Sequence, residues 1–175
     1  MKIKIKTKLE REKMIEDIAG KGIVGHVKYE AFDADGKMIY FKEHDKELGQ
    51  HNTVCDLYYD LIADLMAGGT DDVIAYGHCG TSTGQSATDT NLATYVAEAR
   101  TAIDSSTQGG GGNEHVVTYI TTFGAGVCTA AITEVGMFVA SAQATADMML
   151  YDDSIVYTKG ASDSLVITWT VTHAN

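Results

Sequence analysis

Proline is absent from the 175 residues, whereas glycine occurs 18 times. Turns must therefore rely on glycine together with Asp, Asn and Ser, a usage that fits many tight β connections. Cysteine is scarce as well: Cys55, Cys79 and Cys128 form no CxxC pair and leave an odd count. This excludes a disulfide framework and a zinc ribbon, and reads as buried free thiols. Positive charge almost vanishes after position 50, where Arg100 and Lys159 are the only Lys or Arg against 14 Asp and Glu. Such an acidic body repels phosphate backbones and argues against nucleic-acid binding by the folded part. The first 50 residues differ, with 11 Lys and Arg against 10 Asp and Glu, so a lysine-bearing front can meet an acidic partner.

Long apolar runs are also missing. Met1-Lys-Ile-Lys-Ile-Lys lacks the apolar segment of an export signal, and synthesis in the cytoplasm is expected. The longest stretch without Asp, Glu, Lys or Arg, residues 115–133, alternates and carries repeated Thr and Gly, which argues against a membrane span.

What is present suits one folded domain with an ordinary core: 45% of residues are apolar and 21% charged. The pattern divides the chain into an arm, 1–22, and a β-sandwich domain, 23–175. In the arm Lys2, Ile3, Lys4, Ile5 and Lys6 alternate, and Leu9, Met14, Ile15 and Ile18 then follow a helical spacing that stops at Gly20 and Gly22. This piece is too poor in apolar residues to make its own core. It is expected to dock, through Lys2 to Lys6, on the body or on a neighbouring subunit.

Residues 24–43 read as a hairpin around Asp33-Ala-Asp-Gly36. That turn lacks the further acidic ligands and closing Glu of a calcium loop. Val54, Leu57, Tyr58, Leu61, Ile62 and Leu65 predict an amphipathic helix over about 53–67, capped by Asn52 or Thr53 and stopped by Gly68-Gly69; Asp56, Asp60 and Asp64 form its solvated stripe. Val73–Tyr76 reads as a short strand, and Gly109–Gly112 as a loop tip. Two later segments alternate: Val116–Phe123, and Ser164–Thr172 with Leu165, Ile167, Trp169 and Val171 on one face. Between them Ile132-Thr-Glu-Val-Gly-Met-Phe-Val139 reads as a central strand. The sum is a mainly β, antiparallel β-sandwich, jelly-roll-like, with one helix and an N-terminal arm.

Three chemistries are weighed. Gly80-Thr-Ser82-Thr-Gly84 matches G-x-S-x-G, with Asp residues and His173 later in the chain, but Gln85-Ser-Ala-Thr-Asp-Thr is loop-like where a nucleophile elbow needs a helix. The same loop lacks the lysine of a nucleotide-binding P-loop. His51 and Cys55 have i, i+4 spacing without further ligands, and the six histidines show no HxxxH or HxH pattern. No catalytic residue, cofactor or metal is assigned. Glu134, a carboxylate among Ile132, Val135 and Phe138, must reach water or find a partner. Arg100 precedes that strand, and an Arg100–Glu134 ion pair is expected.

With Ile132-Thr-Glu-Val-Gly-Met-Phe and Ser164-Leu-Val-Ile-Thr-Trp-Thr-Val-Thr in hand, the chain resembles a family of structural proteins from tailed-bacteriophage virions. The order of motifs carries the likeness: a helix like 52–68, a Gly-rich segment like Tyr76-Gly-His-Cys-Gly-Thr, a segment like Asp89-Thr-Asn-Leu92 to Glu98-Ala-Arg100, a "tEvGlF" strand and a "dsLtitWt" strand. It covers roughly residues 50–173, with Met137 in place of the usual leucine and Gly109–Gly112 particular to this chain. The resemblance implies a non-enzymatic virion component, a capsid decoration or fibre-base protein bound to the major capsid protein or another virion protein. Homo-oligomers are expected, a trimer being one symmetric arrangement. A tail or baseplate role, a carbohydrate-binding module using Trp169 or the tyrosines, and a hydrolase acting through Ser82 are the alternatives.

Overall fold

The computed structural model describes residues 22–44, 52–69 and 73–173. Lys2, Ile3, Lys4, Ile5, Lys6 and His51 lie outside the described residues. The described chain is mainly β and folds into two five-stranded antiparallel sheets.

The first sheet runs in the order β2 (Met38–Glu43), β1 (Ile23–Phe32), β12 (Ser164–His173), β7 (Val116–Phe123), β6 (Ser105–Gln108). Its central pair joins early and late parts of the sequence, with Ile23 opposite His173 and Phe32 opposite Ser164. Alternation decides which face is inside: Val27, Tyr29 and Ala31 of β1 and Leu165, Ile167, Trp169 and Val171 of β12 are all buried. The intervening threonines, Thr168, Thr170 and Thr172, lie on the other face.

The second sheet runs β3 (Thr53–Val54), β10 (Met148–Asp152), β9 (Glu134–Phe138), β4 (Tyr76–Gly80), β5 (Thr101–Ala102). Val135, Met137 and Leu150 join the core formed with Tyr29, Ile167 and Trp169, so the two sheets pack face to face. Gly77 sets the closeness of that contact, because a Cβ there would stand 2.9 Å from Thr121 Cγ2 and 3.3 Å from Phe123 Cζ. Every residue of β9 and β10 is buried. This sheet is therefore covered on both faces, the outer one by a second cluster of Cys55, Leu92, Phe138, Met148 and Tyr151.

Three expectations shift. The helix, α1, is Asp56–Met66 rather than 53–67, because Thr53 and Val54 pair with Tyr151 and Leu150 and so belong to the sheet. Its predicted stop is where expected: Gly69 N donates to Asp64 O and Gly68 N to Leu65 O, with Gly68 at φ +86°, the left-handed closure that glycine accepts readily. The central stretch 132–139 is not one strand. Ala131–Ile132 (β8) pairs with Tyr157–Thr158 (β11) in a small separate sheet, and Thr133 turns its backbone N–H to Gly80 O before β9 begins. Finally, the strand expected at 73–76 begins at Tyr76 and runs through the glycine-rich segment to Gly80. The Gly109–Gly112 tract connects β6 to β7, with Gly110 to Gly112 exposed.

Candidate functional site

Glu134, Arg100 and the Gly80–Gly84 segment, singled out in the sequence, come together on the outer face of the second sheet. Gly80 and Glu134 are opposite one another on β4 and β9. Because Gly80 has no side chain, the Glu134 carboxylate folds over it; a Cβ at Gly80 would fall 2.3 Å from Glu134 Oε1. Glu134 is completely buried. Its Oε1 accepts from the backbone N–H groups of Ser82 and Thr94, both at 3.1 Å, and its Oε2 from Gln85 Nε2 at 3.0 Å. Three donors replace the water that burial removes, which is what keeps a carboxylate in such a place affordable.

Arg100 sits in the same layer with its guanidinium 3.6 Å from the centre of the Phe138 ring. It does not pair with Glu134. Nη1 donates to Asp147 Oδ1 at 2.6 Å and to Ala140 O at 2.8 Å, and Nη2 donates to Thr145 O at 3.0 Å. The expected Arg100–Glu134 ion pair is thus corrected. Each residue is buried, but Glu134 is held by a loop's peptide N–H groups and Gln85, and the Arg100 Nη groups by Asp147 and loop carbonyls.

His78 completes the layer. Its Nε2 donates to Glu98 O at 2.8 Å. Burial lowers its pKa, outweighing that hydrogen bond, so the ring is kept neutral. Gln143 Nε2 reaches Val96 O at 3.1 Å and also contacts Glu98 O. Together these side chains fasten two loop segments, 81–100 and 139–147, to the sheet.

G-x-S-x-G acquires a different meaning in this setting. Gly80 makes room for a carboxylate, the Ser82 N–H caps it, and Gly84 N donates to Asp153 Oδ2 at 3.0 Å. His173 is elsewhere, 3.2 Å from Tyr58 Oη. No helix follows Ser82. The serine, histidine and strand–turn–helix of an elbow are therefore not assembled. Trp169 is equally unavailable as a stacking platform, being 1% exposed in the core.

A second buried cluster, which sequence reasoning missed, joins the two sheets. Asp152 Oδ1 accepts from Tyr29 Oη at 2.6 Å and from Ser154 N and Oγ at 2.8 and 2.6 Å, while Oδ2 lies 2.7 Å from His44 Nε2. His44 Nε2 also stands 3.1 Å from Ser154 Oγ. A Ser, a His and an Asp thus meet, but both contacts use one imidazole nitrogen, and the other, Nδ1, has no partner among the described residues. A relay needs both nitrogens engaged. The only hint in the sequence was Asp152 closing the apolar run Met148–Tyr151.

Burial pushes the Asp152 carboxyl up, yet hydrogen bonds from His44, Ser154 and Tyr29 outweigh it and hold its pKa below the usual carboxylate value. A depressed folded pKa contributes stability that is fully present above the unfolded value of about 3.9 and is lost as pH falls through the folded one. The stability difference between the wild type and Asp152→Asn should accordingly be steady near pH 5 and shrink as pH drops below about 4. Urea midpoints at a series of acidic pH values measure it, and a constant difference would refute the assignment.

Lys159 is also interior, 1% exposed, and its Nζ donates to Gly124 O at 2.8 Å and Asp163 O at 2.6 Å. Burial lowers its pKa, against the opposing pull of the Cys128 thiol and Asp163. All three cysteines are free and buried, as expected from their number; burial pushes the Cys55 thiol up to about 12. Among the described residues no three His, Cys, Asp or Glu side chains converge as metal ligands. No helix among them is long and apolar enough to cross a membrane. Comparison of the chain with family models, curated proteins and solved structures finds no match to any of them.

Proposed function

We propose that the chain is a non-enzymatic structural component of a tailed-phage virion, a capsid decoration or accessory protein that binds the shell and its own copies. One observation carries the non-enzymatic half of this reading. The charged and polar side chains of the buried layer, Glu134, Arg100, His78 and Gln143, are spent on internal hydrogen bonds that hold loops in place. A reaction centre would present such groups to a cleft. The virion half rests on the motif order, whose two most distinctive segments are inner strands of the two sheets, β9 and β12. The acidic body suits docking on a basic or neutral protein surface and disfavours nucleic acid.

Immunogold labelling of purified particles with antibody against this chain tests the reading. Gold on the heads is the expected result. Gold confined to tails or baseplates would replace decoration by the tail role, and particles without label would overturn the virion assignment.

A further inference from the structure

A cleft of about 340 Å³ opens at the seam between the two sheets, where the start of β1 meets β3 and the first turn of α1. The backbone closes the seam there, with Asn52 N donating to Gly25 O at 3.1 Å. Gly25 leaves room for the Asn52 amide, since a Cβ on it would stand 2.0 Å from Asn52 Oδ1. Ile23, Val24, Val54 and Ala87 supply apolar walls, and Tyr59 adds a ring that is 38% exposed. Asp56 is the one charged side chain on the lining among the described residues. Asn52 is buried, its Nδ2 donates to Thr53 O at 3.2 Å, and its Oδ1 has no partner among the described residues.

The walls are thus apolar, and the polar groups lean toward acceptors. No described cation neutralises Asp56: Lys28 pairs with Glu30 at 2.7 Å, Lys42 donates to Ser154 O, Lys37 is in the hairpin turn at the far end of β1, and Arg100 and Lys159 are buried in networks of their own. At roughly 30 Å³ for each small group the cleft has room for about ten non-hydrogen atoms, the scale of a small ligand. We propose that it binds a primary alkylammonium group, the chemistry shared by a lysine side chain and a free aliphatic diamine. An ammonium has donors only, so it suits the Asp56 carboxylate and the open oxygen of Asn52, and it is drawn to the aromatic face that Tyr59 supplies. Its aliphatic stem lies along Ile23, Val24 and Val54. A sugar hydroxyl asks for donors as well as acceptors, which a carboxylate lacks and Asn52 has already committed. The site stands independently of the virion reading; with lysine as its source it would be a docking point for a basic partner.

Titration of the full chain with pentylammonium, followed by the amide chemical shifts of Val24, Thr53, Asp56 and Ala87, provides the test. These amides should shift saturably, whereas pentanol should bind several-fold more weakly and pentanoate not at all. Asp56→Asn should weaken pentylammonium about fivefold and remove most of the salt dependence. Ala87→Leu, which fills the cleft, should abolish binding, and thermal unfolding of both variants separates loss of fold from loss of site. Blocked lysine (Nα-acetyl-lysine methylamide) and 1,5-diaminopentane assign the source: blocked lysine matching pentylammonium points to a protein side chain, and diamine binding with blocked lysine shut out points to a free amine, either result upholding the site. Absent shifts, pentanol binding as tightly as pentylammonium, or a folded Asp56→Asn with unchanged affinity would each overturn the proposal. Methyl glycosides shifting these amides where pentylammonium does not would replace it with a sugar site. Labelled heads together with such a result would leave the virion reading standing and remove only this site.

Discussion

Gly80→Ala is expected to weaken the fold by about 3 kcal/mol or more, because the new methyl overpacks a closed site and displaces a buried charge. Its Cβ would meet Glu134 Oε1 at 2.3 Å and the Thr94 carbonyl oxygen at 2.7 Å. Neither can retreat: the carboxylate is held by three donors and the carbonyl accepts from Thr81 N at 2.8 Å. If Glu134 is pushed aside, the N–H groups of Ser82 and Thr94 lose their acceptor and a carboxylate is left without partners in the interior. Ser82→Ala, by contrast, keeps the backbone N–H and should cost no more than about 0.5 kcal/mol, since it touches only a side chain outside this network. Chemical denaturation of the two variants measures both. A tolerated Gly80→Ala would show that the carboxylate is not seated as described, and a severe Ser82→Ala would show that the hydroxyl matters in its own right.

Arg100→Met should cost about 3–5 kcal/mol, the usual penalty for removing one partner of a buried pair. The loss is not only that of the Asp147 contact. Thr145 O, Ala140 O and Asn91 Oδ1 all face Arg100 donors, and methionine supplies none of them. Arg100→Lys should rescue little, because an ammonium cannot reproduce the planar fork that spreads over Phe138 while reaching several oxygens. Asp147→Asn should be milder, and Arg100→Met with Asp147→Asn should lose less than the two single costs together. Strict additivity in that cycle would contradict a direct Arg100–Asp147 interaction; near-infrared or ultraviolet thermal melts of the four proteins suffice to decide it.

The legible parts of the fold are those where one face is wet. β12 and β7 alternate because their outer faces keep threonine, and α1 ends where Gly68 permits a left-handed residue. β9 and β10 carry no such pattern because both of their faces are covered, and β4 hides behind its glycines, which are there for close approach rather than for turning. Burial of Glu134 and Arg100 was half legible. A carboxylate in an apolar run and the scarce cations of an acidic body had to be partnered somehow. Which partners could not be read, because Glu134 is held chiefly by peptide N–H groups, which every residue but proline supplies. Asp147 and Gln143 lie in the small-residue tract 140–147, whose composition gives no sign of the loop's path over the sheet.

The pairing of Ile23 with His173 has a consequence for biosynthesis. On the ribosome β1 emerges early, but its neighbour on the side opposite β2 is β12, and β7 likewise waits for β12 as its inner partner. The nascent chain must therefore carry a β1–β2 hairpin and a β6–β7 hairpin with exposed apolar faces until the last described strand is released. Long-range closure of this type is slow and favours a single late collapse over stepwise co-translational folding. Chains cut short before Ser164 would keep both hairpins open and be substrates for chaperones and proteases rather than incomplete but folded proteins.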